Sequence, residues 1–221
     1  MHAIKKWLLP SVLAVLLLIA SAPVAAADSP YSDWKQYDPR WADVVLTDNT
    51  MGQVGCLATS LAILAVHAGL RDAASFDPGV FVAEMKKAGG FNADNDLVWK
   101  ALPKAVPGFT VESPGKPLAG TQAEKAAKLG EYLDDGFLAA VAVKDGGHWV
   151  ALHSVADGRA VMMDPNTIAT DLFAEYPAEG VVRVALLRAG TPKPTLLDRF
   201  FACLKGIGGW LLAMVKSIWR A

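Results

Sequence analysis

The chain has 221 residues, with 21 Lys and Arg against 22 Asp and Glu, for a formal net charge of -1. Its basic residues are spread along the body, so nucleic-acid binding has no electrostatic support. The two cysteines, Cys56 and Cys203, form no C-x-x-C pair, and no two histidines stand at helical ligand spacing, so the sequence calls for no metal or other cofactor.

Residues 1–27 carry Lys5 and Lys6, an apolar run from Trp7 to Ala20, and then Ala25, Ala26 and Ala27. Charged, apolar and small-residue segments in that order are those of a secretory signal peptide cut after Ala27. The expected location is therefore outside the cytoplasm, in a periplasm or beyond, with an uncleaved membrane anchor as the alternative. Residues 28–190 then form one compact domain, and residues 191–221 are a linker and a tail of different character.

Residues 32–46 are a loop-rich lead-in with Trp34, Gln36 and Trp41, and "MGQVG" (51–55) is expected to be a turn. Cys56 to Ala68 reads as a helix stopped at Gly69, and its apolar residues lie all round, which marks a buried helix. Helices are expected over 78–90 and, briefly, over 97–106. "GFTVES" (108–113) is a strand candidate. Thr121 and Glu124 stand at capping-box spacing at the head of a helix ending at Gly136. Strands follow over 137–143, 148–155, 160–164 and 180–187, joined by "KDGG" and "ADGR". Helices followed by hairpin-connected strands indicate an α+β domain with a mainly antiparallel sheet.

Cys56 opens its helix, where unpaired backbone N–H groups and the positive end of the macrodipole favour a thiolate. Position alone leaves it open between a nucleophile and a small buried core residue. A nucleophile needs a base. His67 follows eleven residues later, about 16 Å along the helix axis, so it reads as a surface or helix-end residue. His148 begins a strand directly after a Gly pair, where a side chain is open to a cleft. His153 is five residues on, so strand alternation sends it to the opposite face. Only one of the two is expected to face the Cys56 helix, and His148 is the choice. Asp164, returned by the next hairpin, is the candidate acceptor that orients His148, and it also suits a turn before Pro165. A Cys56–Cys203 disulfide is the less favoured reading, because the two lie far apart in segments of different character.

A Cys-led buried helix, then "GHWVAL", then "MMDP" resembles the papain-like cysteine peptidases, and most closely the bacteriocin-processing double-glycine peptidase group and its peptidase-like relatives. "KQYDPRWA" and "GGFNADNDLVWKAL" look like those relatives too, and the similarity runs from about Trp34 to Tyr176. The resemblance implies a papain-like fold with the Cys helix packed on the sheet. It implies Cys56 as nucleophile, His148 as general base and acid, and Asp164 as orienting acid, acting on a peptide or protein substrate. The family places an oxyanion Gln about six residues before the Cys, where this chain has Thr50. Gln36 is the first choice for that role and Gln53 the alternative.

The tail, residues 199–221, places Lys205 and Lys216 within about 20° on a helical wheel beside a wide arc of Phe, Leu, Ile and Trp. That pattern suits an interfacial membrane helix. A transmembrane span or a helix docked on the domain are the alternatives.

Overall fold

The computed structural model describes residues 29–190. The expected signal peptide, Cys203 and the amphipathic tail lie outside the described residues. Among the described residues no helix is long and apolar enough to cross a membrane.

The domain is α+β. Helices α1 (Met51–Val54), α2 (Cys56–His67), α3 (Pro78–Lys87) and α4 (Leu102–Ala105) come first, followed by strand β1 (Phe109–Pro117) and helix α5 (Gln122–Asp134). Strands β2 (Leu138–Val143), β3 (His148–Ala156) and β4 (Arg159–Met163), helix α6 (Leu172–Glu175) and strand β5 (Arg183–Ala189) complete it. The five strands form one antiparallel sheet in the order β1-β5-β2-β3-β4. Hairpins make the β2-β3-β4 meander, and β5 returns to fill the space between β1 and β2.

Within the described residues every expected helix and strand is present, with shifted ends. The α5 start has its capping box, with the Thr121 backbone N–H donating to Glu124 Oε2 at 2.7 Å. The third helix divides into a 3-10 turn (Trp99–Ala101) and α4, and β1 runs on to Pro117. Two short helices, α1 and α6, go beyond expectation. The turn expected at "MGQVG" is helical, with the Thr50 backbone N–H donating to Gln53 Oε1 at 3.0 Å and so capping a four-residue segment.

The sheet is covered on both faces. On one, Ala140, Ala151 and Ala185 meet α2, all of whose residues from Ala58 to Ala65 are buried. Small side chains on the strands let the helix come close to the sheet, which suits a helix apolar all round. On the other face, Val141, Val150, Leu152, Val184 and Leu186 pack against Leu129 and Tyr132 of α5. The aromatic lead-in closes the first core, with Tyr31, Trp34 and Trp41 all buried.

Helix α2 runs alongside β3. Ser60 Oγ donates to the carbonyl of Trp149 at 3.1 Å, pinning the helix to the strand close to their first residues. That pairing of first turn with first strand residues positions the candidate site.

Candidate functional site

The site starts from a tight backbone junction. Gly55 ends α1 and precedes α2, and its N–H donates to the Met51 carbonyl at 2.8 Å. A Cβ at Gly55 would stand 2.4 Å from Met51 O and 2.7 Å from its sulfur, so only glycine fits. The junction makes Cys56 the first residue of a twelve-residue helix, the end at which backbone N–H groups lack intrahelical partners. Cys56 is a free thiol and half-buried.

His148 is the first residue of β3, paired opposite Val143. Lys144, Asp145 and Gly146 turn the chain into it with φ of 51°, 56° and 92°. Two of these are non-glycine residues in the left-handed region, which carries a conformational cost. The His148 ring is buried. Its Nε2 lies 2.8 Å from Asp164 Oδ1, and because a carboxylate only accepts, Nε2 donates. Cys56 lies next to the same ring and favours its charged form. Burial pulls the imidazole pKa down, but the bond to Asp164 and the neighbouring Asp164 and Cys56 charges outweigh it and push the value up to about 9.

Asp164 directly follows β4 and is 1% exposed. Its Oδ1 also accepts from the backbone N–H of Asn166 at 2.7 Å, which is the turn expected before Pro165. Its Oδ2 accepts from Tyr176 Oη and, at 3.3 Å, from Thr167 Oγ1. Burial alone would raise the carboxyl pKa, yet the bonds from His148, Tyr176 and Asn166 hold it below the ordinary carboxylate range. Burial, reinforced by the Asp164 charge, raises the Tyr176 phenol, so it stays a donor.

Cys56, His148 and Asp164 are therefore brought together from three separate elements. Gln36 is fastened between the residue after Asp164 and helix α1, just ahead of Cys56. Its backbone N–H donates to Pro165 O at 2.8 Å, and its Nε2 donates to Gly52 O at 3.0 Å. The side chain is buried, and Oε1 has no partner. Gln53, by contrast, is committed to capping α1. Of the two glutamines, Gln36 is the one whose amide bridges the lead-in to the Cys56 turn.

Sequence reasoning missed Tyr176 and Lys35. Lys35 Nζ donates to the carbonyl of Asp164 at 2.8 Å and so fixes the backbone of that residue. Each lies outside the "GC", "GHW" and "MMDP" motifs and reaches the site only through tertiary folding. "KQYDP", which places Lys35 next to Gln36, carried the only available hint.

Strand alternation misassigned His153. Both histidines of β3 contact α2, one at each end: His148 touches Cys56 and His153 touches His67, ring centres 4.9 Å apart. His153 shares the parity of Trp149 and Ala151, which face the helix side. His148 has the other parity, and it reaches Cys56 because it stands at the strand's very start. Among the described residues no group of three or more His, Cys, Asp or Glu is placed to hold a metal.

A cleft of about 190 Å³ opens at Cys56, lined by Leu57, Phe91, Leu97 and Trp149 with Asp94 and Asp96. Trp99 buttresses Trp149 edge-on at 6.4 Å. A larger concavity of about 480 Å³, lined by Lys35, Tyr37, Met163 and Ile168, does not reach Cys56 or His148. Compared with family models, curated proteins and solved structures, the chain matches none.

Proposed function

We propose that the chain is an exported cysteine peptidase-like hydrolase of the papain-like fold, cleaving peptide or related amide bonds through Cys56, His148 and Asp164. The observation that carries this reading is the line of contacts from Cys56 to His148 to Asp164 to Tyr176. A base beside a candidate nucleophile, and itself oriented by a buried carboxylate, is the arrangement that nucleophilic catalysis requires.

In this reaction the Cys56 thiolate attacks the substrate carbonyl carbon, and the C=O electrons move onto oxygen. N–H groups at the head of α2, with the Gln36 amide, stabilise that oxyanion. The His148 imidazolium gives its proton to the departing amine as the C–N bond breaks, leaving a thioester on Cys56. Neutral His148 then takes a proton from water, hydroxide adds to the thioester, and the thiolate leaves with the carboxylic acid released. Asp164 holds the ring in the orientation these transfers need and stays ionised throughout. The same geometry supports transfer of the acyl group to an amine, so amidase or transamidase action is the rival within the class.

One observation favours a second reading, a weakly catalytic peptide-binding domain tethered at a membrane by its tail. The Gln36 Nε2 is already engaged with Gly52 O, which reduces its freedom to donate to an oxyanion.

The test is alkylation by iodoacetamide near neutral pH, read by mass spectrometry, together with cleavage of a peptide library. Cys56 is expected to label much faster than Cys203, and His148→Ala to abolish the difference. Wild type is expected to cleave and Cys56→Ala not to. Slow, equal labelling of both thiols with no cleavage would remove the hydrolase reading.

A further inference from the structure

Resting on the hydrolase reading, we propose that the cleft beside Cys56 selects peptides carrying a lysine or arginine side chain next to the bond attacked. Two independent features meet in one cavity. The first is its shape and lining. At about 190 Å³ it is smaller than pockets that enclose drug-sized ligands, so it takes one long side chain. Its walls are Leu57, Phe91, Leu97 and Trp149, which suit an aliphatic stem. The second is the charge that lines it: Asp94 and Asp96, with no Lys or Arg.

Neither carboxylate makes an ion pair among the described residues. Both are exposed, and their side-chain contact is with a neutral group, Asn92 Nδ2 donating to Asp96 Oδ2 at 3.5 Å, so a cation arriving in the cleft displaces no resident cation. An apolar stem with a solvated cationic head is the side-chain chemistry that such a lining fits.

The acidic loop is also held in place. Asn92 Oδ1 accepts from the backbone N–H groups of Asp94 and Asp96 at 2.9 and 2.8 Å. Asn95 adopts φ 64° and sends its Oδ1 across to the neighbouring loop. There it accepts from the N–H groups of Thr47, Asp48 and Asn49 at 3.1, 2.9 and 3.0 Å. Residues 46 and 54 of that loop region line the same cleft. The backbone that carries the two carboxylates is thus held beside the cleft before a substrate binds, which lowers the ordering cost of recognition.

The experiment compares full-length protein on a positional peptide library in which one site carries Lys, norleucine or Glu. Wild type is expected to favour Lys over norleucine by about tenfold in kcat/KM, the order of two partly exposed charge pairs, and to disfavour Glu. The double variant Asp94→Asn/Asp96→Asn should reduce the Lys preference below about threefold. Binding of the same fluorescent peptides to Cys56→Ala protein is measured in parallel. Cleavage with no charge preference would overturn this proposal and leave the hydrolase reading standing. Lys-selective binding that the double variant loses, without cleavage by wild type, would support the cleft assignment and overturn the hydrolase reading. Charge-blind binding, or none, would overturn the cleft assignment.

Discussion

The rings of His67 and His153 stand 4.9 Å apart, tilted by 53°, at the opposite end of α2 from Cys56. The spacing follows from simple geometry. Eleven helical residues from Cys56 to His67 rise about 16 Å, and five extended residues from His148 to His153 rise about 16 Å as well. A helix laid along this strand therefore meets a histidine at each end. Tyr31 Oη lies 2.7 Å from His67 Nδ1, so the second pair is also tied to the lead-in.

This second pair predicts acid sensitivity. Burial lowers the His67 pKa, and a charge on His153 lowers it further; burial lowers His153 too. A depressed folded pKa means that the unfolded chain binds more protons just below pH 6.5. Stability contributed by the neutral rings is therefore present above that pH and is lost as pH falls. Urea midpoints measured at pH 7.5 and 5.5 should drop in wild type on this account, and the drop should shrink in His67→Gln/His153→Gln. An equal drop in the variant would assign the effect to other groups.

His148 has the opposite sign. Burial opposes its charge, yet Asp164 and Cys56 raise its pKa to about 9, so the folded state holds a proton that the unfolded state releases near 6.5. Its stabilising contribution is complete below about pH 6.5 and is lost as pH rises through about 9. The ring's NMR titration midpoint should lie well above 6.5 in wild type and fall in Asp164→Asn, where the amide removes the charge. A midpoint unmoved by that substitution would show that Asp164 does not control the ring.

Tyr176→Phe removes the phenol donor from Asp164 Oδ2 while keeping the ring. Asp164 is buried, so losing a hydrogen bond to its charge should cost about 1.5–3 kcal/mol of stability, seen as a lower urea midpoint. Because Asp164 positions His148, iodoacetamide labelling of Cys56 should slow as well. Normal labelling at reduced stability would confine Tyr176 to a packing role.

Local chemistry explains what was legible in the sequence and what was not. The α2 helix, the α5 capping box and the β2-β3-β4 meander each rest on contacts within a few residues, so periodicity and turn residues reveal them. Asp164 was accessible for the same reason, because one hairpin returns it beside His148. The position of β5 between β1 and β2 was not, since nothing in residues 183–189 says which strands they join. Tyr176 and Lys35 were hidden for a related reason. Each bonds to Asp164 across a long loop or from the lead-in, and neither has a motif. The face of His153 was misread because alternation was counted from His148, a strand-end residue that departs from the direction the rest of β3 sets.

The two glutamines give the last prediction, and it separates catalysis from capping. Gln36 is buried, bonded to Gly52 O, and left with an unpartnered Oε1, whereas Gln53 Oε1 accepts from the N–H of Thr50 at the start of α1. If the Gln36 amide supports an oxyanion, Gln36→Ala should lower kcat by about 10²–10³ with KM little changed. Gln53→Ala should leave kcat near wild type and cost about 0.5–2 kcal/mol in stability, the range for a lost helix cap. Comparing kcat with urea midpoints for the two variants checks both halves. A large kcat loss in Gln53→Ala with none in Gln36→Ala would transfer the donor role to the α1 turn, despite the cap that now occupies it.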